Sequence, residues 1–256
     1  MEILAENKID MVHKPFSVHT RRTMMYAELS RLMDFSAGAE TDFEHLLNEN
    51  VVAKQTQHNK KDTAKCLKKL YLLDDHDPAF KVFHYFWGMA SDKEKPLLTL
   101  LLAITRDFLL SESIDTIMSI APGNRVDVSV IEQCIESIHP KKYTEKTRLS
   151  SAQNIASSWK QSGHITGKIK NLRTQAIPGY YDVAFALFLG YLHGLRGDFL
   201  FQTKWTKALD CSENELRNLA QEAAKRELLS FQYAGNVTVV NFKSLIQKLQ
   251  LHGIED

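Results

Sequence analysis

Cysteine is scarce in this chain: Cys66, Cys134 and Cys211 stand far apart, with no Cys-x-x-Cys pair. That argues against a disulfide framework and a zinc ribbon, and fits reduced thiols in a cytosol. An excess of one charge is also lacking. Lys and Arg total 32 against 31 Asp and Glu, a formal net charge of +1, so any pull on an anionic partner must come from local asymmetry. Long apolar runs are missing: "AFALFLGYL" (Ala184 to Leu192) is the longest, too short to span a bilayer. The opening "MEILAENKID" has no basic-then-apolar signal pattern. A cytoplasmic protein without a membrane partner is expected.

Catalytic signatures are absent as well. The sequence holds no GxSxG, Walker A, GxGxxG or HExxH. His84, His139, His164 and His193 are scattered without ligand spacing. "GYLHGLRGD" offers Gly190, Gly194 and Gly197, but no strand precedes it and no Lys-Ser/Thr follows. Close helix packing and a turn explain those glycines better than a phosphate cradle. Acid pairs such as Asp74-Asp75, or Asp107 near Glu112, share no pattern with a base or metal ligand. The expectation is a non-enzyme with no cofactor and no metal.

What is present is helical periodicity. Apolar residues are 44% and charged ones 25% of 256 residues, ordinary for a globular fold with a sizeable core. "TRRTMMYAELSRLMDF" places Met24, Met25, Leu29 and Leu32 on one stripe. Thr41 with Glu44 has capping-box spacing before a short helix to about Asn48. "FKVFHYFW" (Phe80 to Trp87) is aromatic and β-prone. "KPLLTLLLAITRDFLL" (Lys95 to Leu110) is apolar nearly all round and reads as a central buried helix. "SESIDTIMSIAPG" and "DVSVIEQCIESIHP" read as helices stopped by Pro122-Gly123 and Pro140. "YYDVAFALFLGYLHG" and "GDFLFQTKWTKALD" read as two more. Ser212 caps "ENELRNLAQEAAKREL", and "LLSFQYAGNVTVVNF" is a hairpin turning at Ala234-Gly235-Asn236. A short helix from Lys243 to about Leu249 follows.

Two segments echo each other. "TQHNKKDTAKCLKKLY" puts Ala64, Leu67 and Tyr71 on one helical face, and "TEKTRLSSAQNIASSW" does the same with Ala152, Ile155 and Trp159. A small residue, an aliphatic and an aromatic seat such a helix, leaving the other face short, polar and cationic. The second helix of a helix-turn-helix pair needs that design. Ordinary amphipathic helices share the apolar spacing, so charge decides. From Lys141 to Arg173 the bases are Lys141, Lys142, Lys146, Arg148, Lys160, Lys168, Lys170 and Arg173, against Glu145 alone. From Lys54 to Lys69 six lysines face only Asp62. A surface built for solubility alone mixes both signs.

Phosphates of double-stranded DNA would neutralise such strips; four to six contacts give a log–log salt slope of about −4 to −5. Ser151 and Asn154 would read base edges or phosphates beside Lys146, Arg148 and Lys160. "HITGKIKNLR" looks like a β-wing turning near Thr166-Gly167, with Lys168 and Lys170 on one face of a strand, Ile169 on the other, and Arg173 extending the grip. Lys60, Lys61, Lys65 and Lys68 would form a second contact. The C-terminal helix carries Glu213, Glu215, Glu222 and Glu227, and reads as a module for packing or partner contact.

The stretches "KKDTAKCLKKLYLLD", "QSGHITGKIKNLRTQAIP" with "VAFALFLGYLHGLRGDFLFQTKW", and "AAKRELLSFQYAGNVTVVNF" together resemble the BrxA family of bacterial BREX phage-defence systems. The likeness runs from about Thr20 to Phe242, in order and character. It implies a small helical protein with winged-helix-like elements that binds double-stranded DNA beside other defence-system subunits, without catalysis of its own. The expected fold is thus mainly α: winged helix-turn-helix-like units with short β-hairpins and a C-terminal helical module. Three parts are expected: a helix-turn-helix-like domain at 1–90, central helices with a second winged-helix unit at 91–178, and the helical module with its hairpin at 179–256. The alternatives are a DNA-binding transcriptional regulator with one tight operator, or an adaptor for acidic protein or RNA partners.

Overall fold

The computed structural model describes residues 16–36, 41–235 and 237–254. The "MEILAENKID" reading and Asn236 of the expected turn lie outside them.

From Tyr26 to Trp87 the described residues form four helices joined by irregular connections. Helix α1 (Tyr26–Phe35) buries Leu29, Leu32 and Met33. Helix α2 (Phe43–Asn48) is capped by Asp42, whose carboxylate accepts the His45 N–H at 2.9 Å, one residue beyond the cap expected at Thr41. Thr56 caps α3 (Gln57–Tyr71), which buries Leu67, Leu70 and Tyr71. The β-prone run is helix α4 (Pro78–Trp87). Asp77 accepts the Phe80 N–H at 2.8 Å and Pro78 sits in the first turn, which starts a helix firmly. Ala79, Phe80, Val82, Phe83, Phe86 and Trp87 are then all buried, and packing overrides strand propensity. No wing therefore follows α3; a helix does.

Helix α5 (Lys95–Arg106) is buried continuously from Leu97 to Ile104, as its all-round apolarity demands. The expected single helix breaks at Asp107, which leaves helical geometry and caps α6 (Phe108–Glu112). Helices α7 (Ile114–Met118), α8 (Val128–Ile138) and α9 (Glu145–Gln161) follow. Strands β1 (Ile165–Thr166) and β2 (Leu172–Arg173) pair antiparallel. Helix α10 (Tyr180–Leu192) is buried from Tyr181 to Tyr191 and packs on α4 and α5. The next expected helix is split by Thr203 into a 3-10 turn (Gly197–Gln202) and α11 (Lys204–Lys207). Helix α12 (Glu213–Lys225) carries the capping box of Ser212 and Glu215. Strands β3 (Ser230–Ala234) and β4 (Val237–Asn241) form the C-terminal hairpin, followed by α13 (Lys243–Leu249).

Buried apolar side chains from Val18 to Leu251 make one continuous cluster, so the stretches 1–90, 91–178 and 179–256 share a core. Phe185 of α10 meets Phe83 and Phe86 of α4, while Phe188 and Tyr191 meet Phe242. The order helix, helix, hairpin occurs twice, as α8–α9–β1–β2 and as α11–α12–β3–β4. No helix among the described residues is long and apolar enough to cross a membrane.

Candidate nucleic-acid interface

Helix α9 carries most of the expected site, and its packing decides which residues can serve. Thr144 starts it by accepting the Thr147 N–H. Ala152, Ile155, Ala156 and Trp159 face the core, and α8 and α5 pack on that side. Lys146, Leu149 and Gln153 are exposed, with Ser150, Ser157 and Lys160 half-buried along the same side. Lys146 and Lys160 are separated by 14 positions, which sets them about 21 Å apart along the axis. At the far end, the Lys160 ammonium donates to Gly167 O at 2.7 Å and ties the helix to the hairpin turn.

That hairpin is wider than its pairing suggests. Beyond β1 and β2, Arg125 bridges Leu172 antiparallel. The Val126 N–H donates to Asn171 O at 2.9 Å, and the Arg173 N–H to Asn124 O at 2.8 Å. Residues 124–126 thus act as a third short strand. The tip, Gly167 to Lys170, is exposed. Lys168 and Lys170 lie in this loop, not on a strand, and Ile169 is 97% exposed instead of covering a core. Lys146, Lys168 and Lys170 carry no ion pair among the described residues.

Four expected site residues are placed otherwise. Arg173 is 1% exposed. Its guanidinium donates to Ile117 O (3.1 Å), His164 O and Thr174 O, and pairs with Asp210 at 2.8 Å. It is a core tie, not a phosphate grip. Arg148 is clamped by Glu132 at 3.0 Å and Glu136 at 2.7 Å, both from α8. Hydrogen bonding to Glu132 and Glu136 raises its pKa further, while the Lys141 backbone N–H and Arg148 hold the Glu136 carboxyl below its usual range. Both carboxylates hold the guanidinium to α8 and withdraw its charge from the outward side of α9. Ser151 is fully buried and bonds Thr147 O at 2.7 Å, the usual satisfaction of a hydroxyl inside a helix. Asn154 spends its amide on His19 O at 2.9 Å. Neither side chain reads a base from there.

The α3 strip stays basic. Lys61 and Lys65 are exposed without ion pairs among the described residues. Lys60 donates to Asn48 O, and Lys68 pairs with Glu44 at 2.9 Å. Asp62 is turned away, held by Arg21 and Arg22 at 2.9 and 2.7 Å. On α12 the acids are occupied: Glu213 pairs with Arg217, Glu222 with Lys225 and Arg226, and Glu215 caps the helix.

Two buried networks escaped the sequence reading. His164 stacks edge-on against Trp159, with Nδ1 2.8 Å from Ser162 Oγ and Nε2 2.9 Å from Ala208 O. Burial, with Arg173 nearby, pushes its pKa down to about 4, so the ring is neutral and Nε2–H donates. The second joins Asp107, His19 and Ser158. His19 Nδ1 is 2.8 Å from Asp107 and Nε2 is 2.8 Å from Ser158 Oγ. The order resembles a nucleophile–base–acid relay, but all three residues are fully buried. Ser158 Oγ already accepts the Met24 N–H at 2.8 Å. The network bolts the N-terminal segment to α6 and α9. Among the described residues no group of three or more His, Cys, Asp or Glu is placed to hold a metal ion.

No protein-family model, curated protein or solved structure matches this chain. The reading of the site rests on its own geometry and charge.

Proposed function

We propose that this chain binds double-stranded DNA through α9 and the β1–β2 hairpin, used as a winged helix-turn-helix. The observation that carries the reading is the placement of four lysines. Lys160, Lys168 and Lys170 surround one turn, and Lys146 stands at the other end of the same helix. Cations at both ends of a helix can reach phosphates on either side of a major groove about 12 Å wide. The elements agree with this use: α7, the short strand at 124–126, α8, α9 and the hairpin run in winged-helix order. Gln153 and Ser157 replace Ser151 and Asn154 as the polar groups on the outward side.

Contacts of this kind position a duplex more than they read it, so similar affinity for unrelated sequences follows, rather than one operator. The resemblance of the sequence to the BrxA family makes a phage-defence assembly the setting we propose, with its other subunits as partners.

The test is a titration of unrelated duplexes across salt concentration. Four lysine–phosphate contacts give a log–log slope of about −3.5, shallower than the sequence alone implied because Arg148 and Arg173 are withdrawn. Lys168→Glu with Lys170→Glu should remove most of the affinity and flatten the slope by about 2. Unchanged binding by that double variant would overturn the reading.

A further inference from the structure

We infer that the groove between α2 and α3 is a docking site for an acidic, amphipathic peptide segment of a partner protein. The groove holds about 570 Å³ and is lined by Leu47 and Ala64 together with Lys60, Lys61, Lys65 and Lys69. Helix α3 sets this composition. Its apolar face is turned into the core at Leu67 and Leu70, and Lys61, Lys65 and Lys68 stand along the side that faces the groove. Ala64, with the shortest apolar side chain on α3, sits at the boundary and leaves a depression that Leu47 of α2 borders.

Three physical features select the occupant. The rim is cationic and its lining contains no acid, because Asp62 is drawn to the opposite side by Arg21 and Arg22. The floor of the depression is half-buried Ala64 over Leu47, itself buried; a duplex backbone presents phosphates and sugar rings there and no side chain that could insert beside Ala64. No aromatic side chain lines it, so the bases of a single strand find no stacking platform. A peptide helix with leucine-like anchors on one face and carboxylates flanking them satisfies both the depression and the rim. The molecule already contains the pairing in miniature. Glu44 of α2, on an exposed side chain, lays its carboxylate on Lys68 at 2.9 Å. Lys61 and Lys65 repeat the same geometry along α3 without such a partner among the described residues.

This site is separate from the duplex face of α9, and the experiment keeps the two apart. The probe is a labelled peptide of about three helical turns with leucines at i, i+3 and i+4 and glutamates flanking them, followed by fluorescence anisotropy against the full chain. Saturable binding is expected. Lys61→Glu with Lys65→Glu should weaken it by about tenfold or more while the melting curve and the affinity for duplex DNA stay as in the wild type. Ala64→Gln, which fills the depression, should weaken it with the rim charges intact; serine in place of the peptide leucines should do the same. No binding to the wild-type chain overturns the inference. So does equal binding of the serine peptide, which would make the contact charge alone. Loss of duplex affinity in the rim variant, with peptide binding kept, would reassign the lysines to nucleic acid and likewise overturn it.

Discussion

Arg173 holds its guanidinium in a ring of acceptors from three segments: Ile117 O, His164 O and the Asp210 carboxylate. Removing one partner of a buried pair strands the other and its acceptors. Arg173→Met should therefore lower stability by ~3 kcal/mol, read as a lower urea midpoint at constant slope. Lys168→Glu with Lys170→Glu, on exposed side chains, should stay within about 0.5 kcal/mol of the wild type. In the one-letter code these bases form one strip, and composition cannot separate them. What separates them is a contact with Asp210, 37 positions from Arg173, which no local pattern encodes. Arg148 is the milder case. Glu132 and Glu136 are visible in "VIEQCIESI", and their spacing of four puts both on one face of α8. Nothing short of the α8–α9 packing says that this face meets Arg148.

At the scale of elements, caps and periodicity carried most of the information. Ser212 with Glu215, the all-round apolar α5 and α10, and the β3–β4 hairpin are legible because each signal is local. The aromatic run at α4 misleads because Phe, Tyr and Trp favour strands only until a capped helix offers them a buried face. The β1–β2 hairpin is legible as a turn but not as a ladder, since its third strand comes from 124–126. Its tip turns on Gly167, whose φ is +97° and whose added Cβ would lie 2.1 Å from Lys170 O. Only glycine takes that backbone without strain. Gly167→Ala should open the turn at a local cost of about 1–3 kcal/mol. Hydrogen exchange is the check: amides of residues 165–172 should exchange faster while those of α5 keep wild-type protection.

For the whole molecule, acidity acts through the buried network at His164. Its pKa of about 4 lies below the ordinary 6.5, so the unfolded chain takes up a proton first as pH falls. The contribution is whole above about pH 6.5 and is lost on the way down to about 4. The stability difference between wild type and His164→Gln should rise by up to about 1.4 kcal/mol per pH unit over that window. Taking the difference cancels the other buried acids. Burial pushes the Asp182 carboxyl well up, which works in the opposite direction, its cost growing as pH rises above the ordinary carboxylate value. Asp107 is also pushed up by burial, but His19 and the donors around it leave its carboxyl below the usual value, so its share is lost only in stronger acid. The same pair, His164 with Ala208 and Arg173 with Asp210, clamps the root of the β1–β2 hairpin to the turn between α11 and α12. The hairpin is in effect a cantilever, fixed at its base by these two contacts and propped near its tip by Lys160 on Gly167 O. Whatever presses on Lys168 and Lys170 is resisted by the C-terminal third of the chain through Asp210 and Ala208, and adaptation to an irregular surface falls to the exposed side chains of Lys168, Ile169 and Lys170.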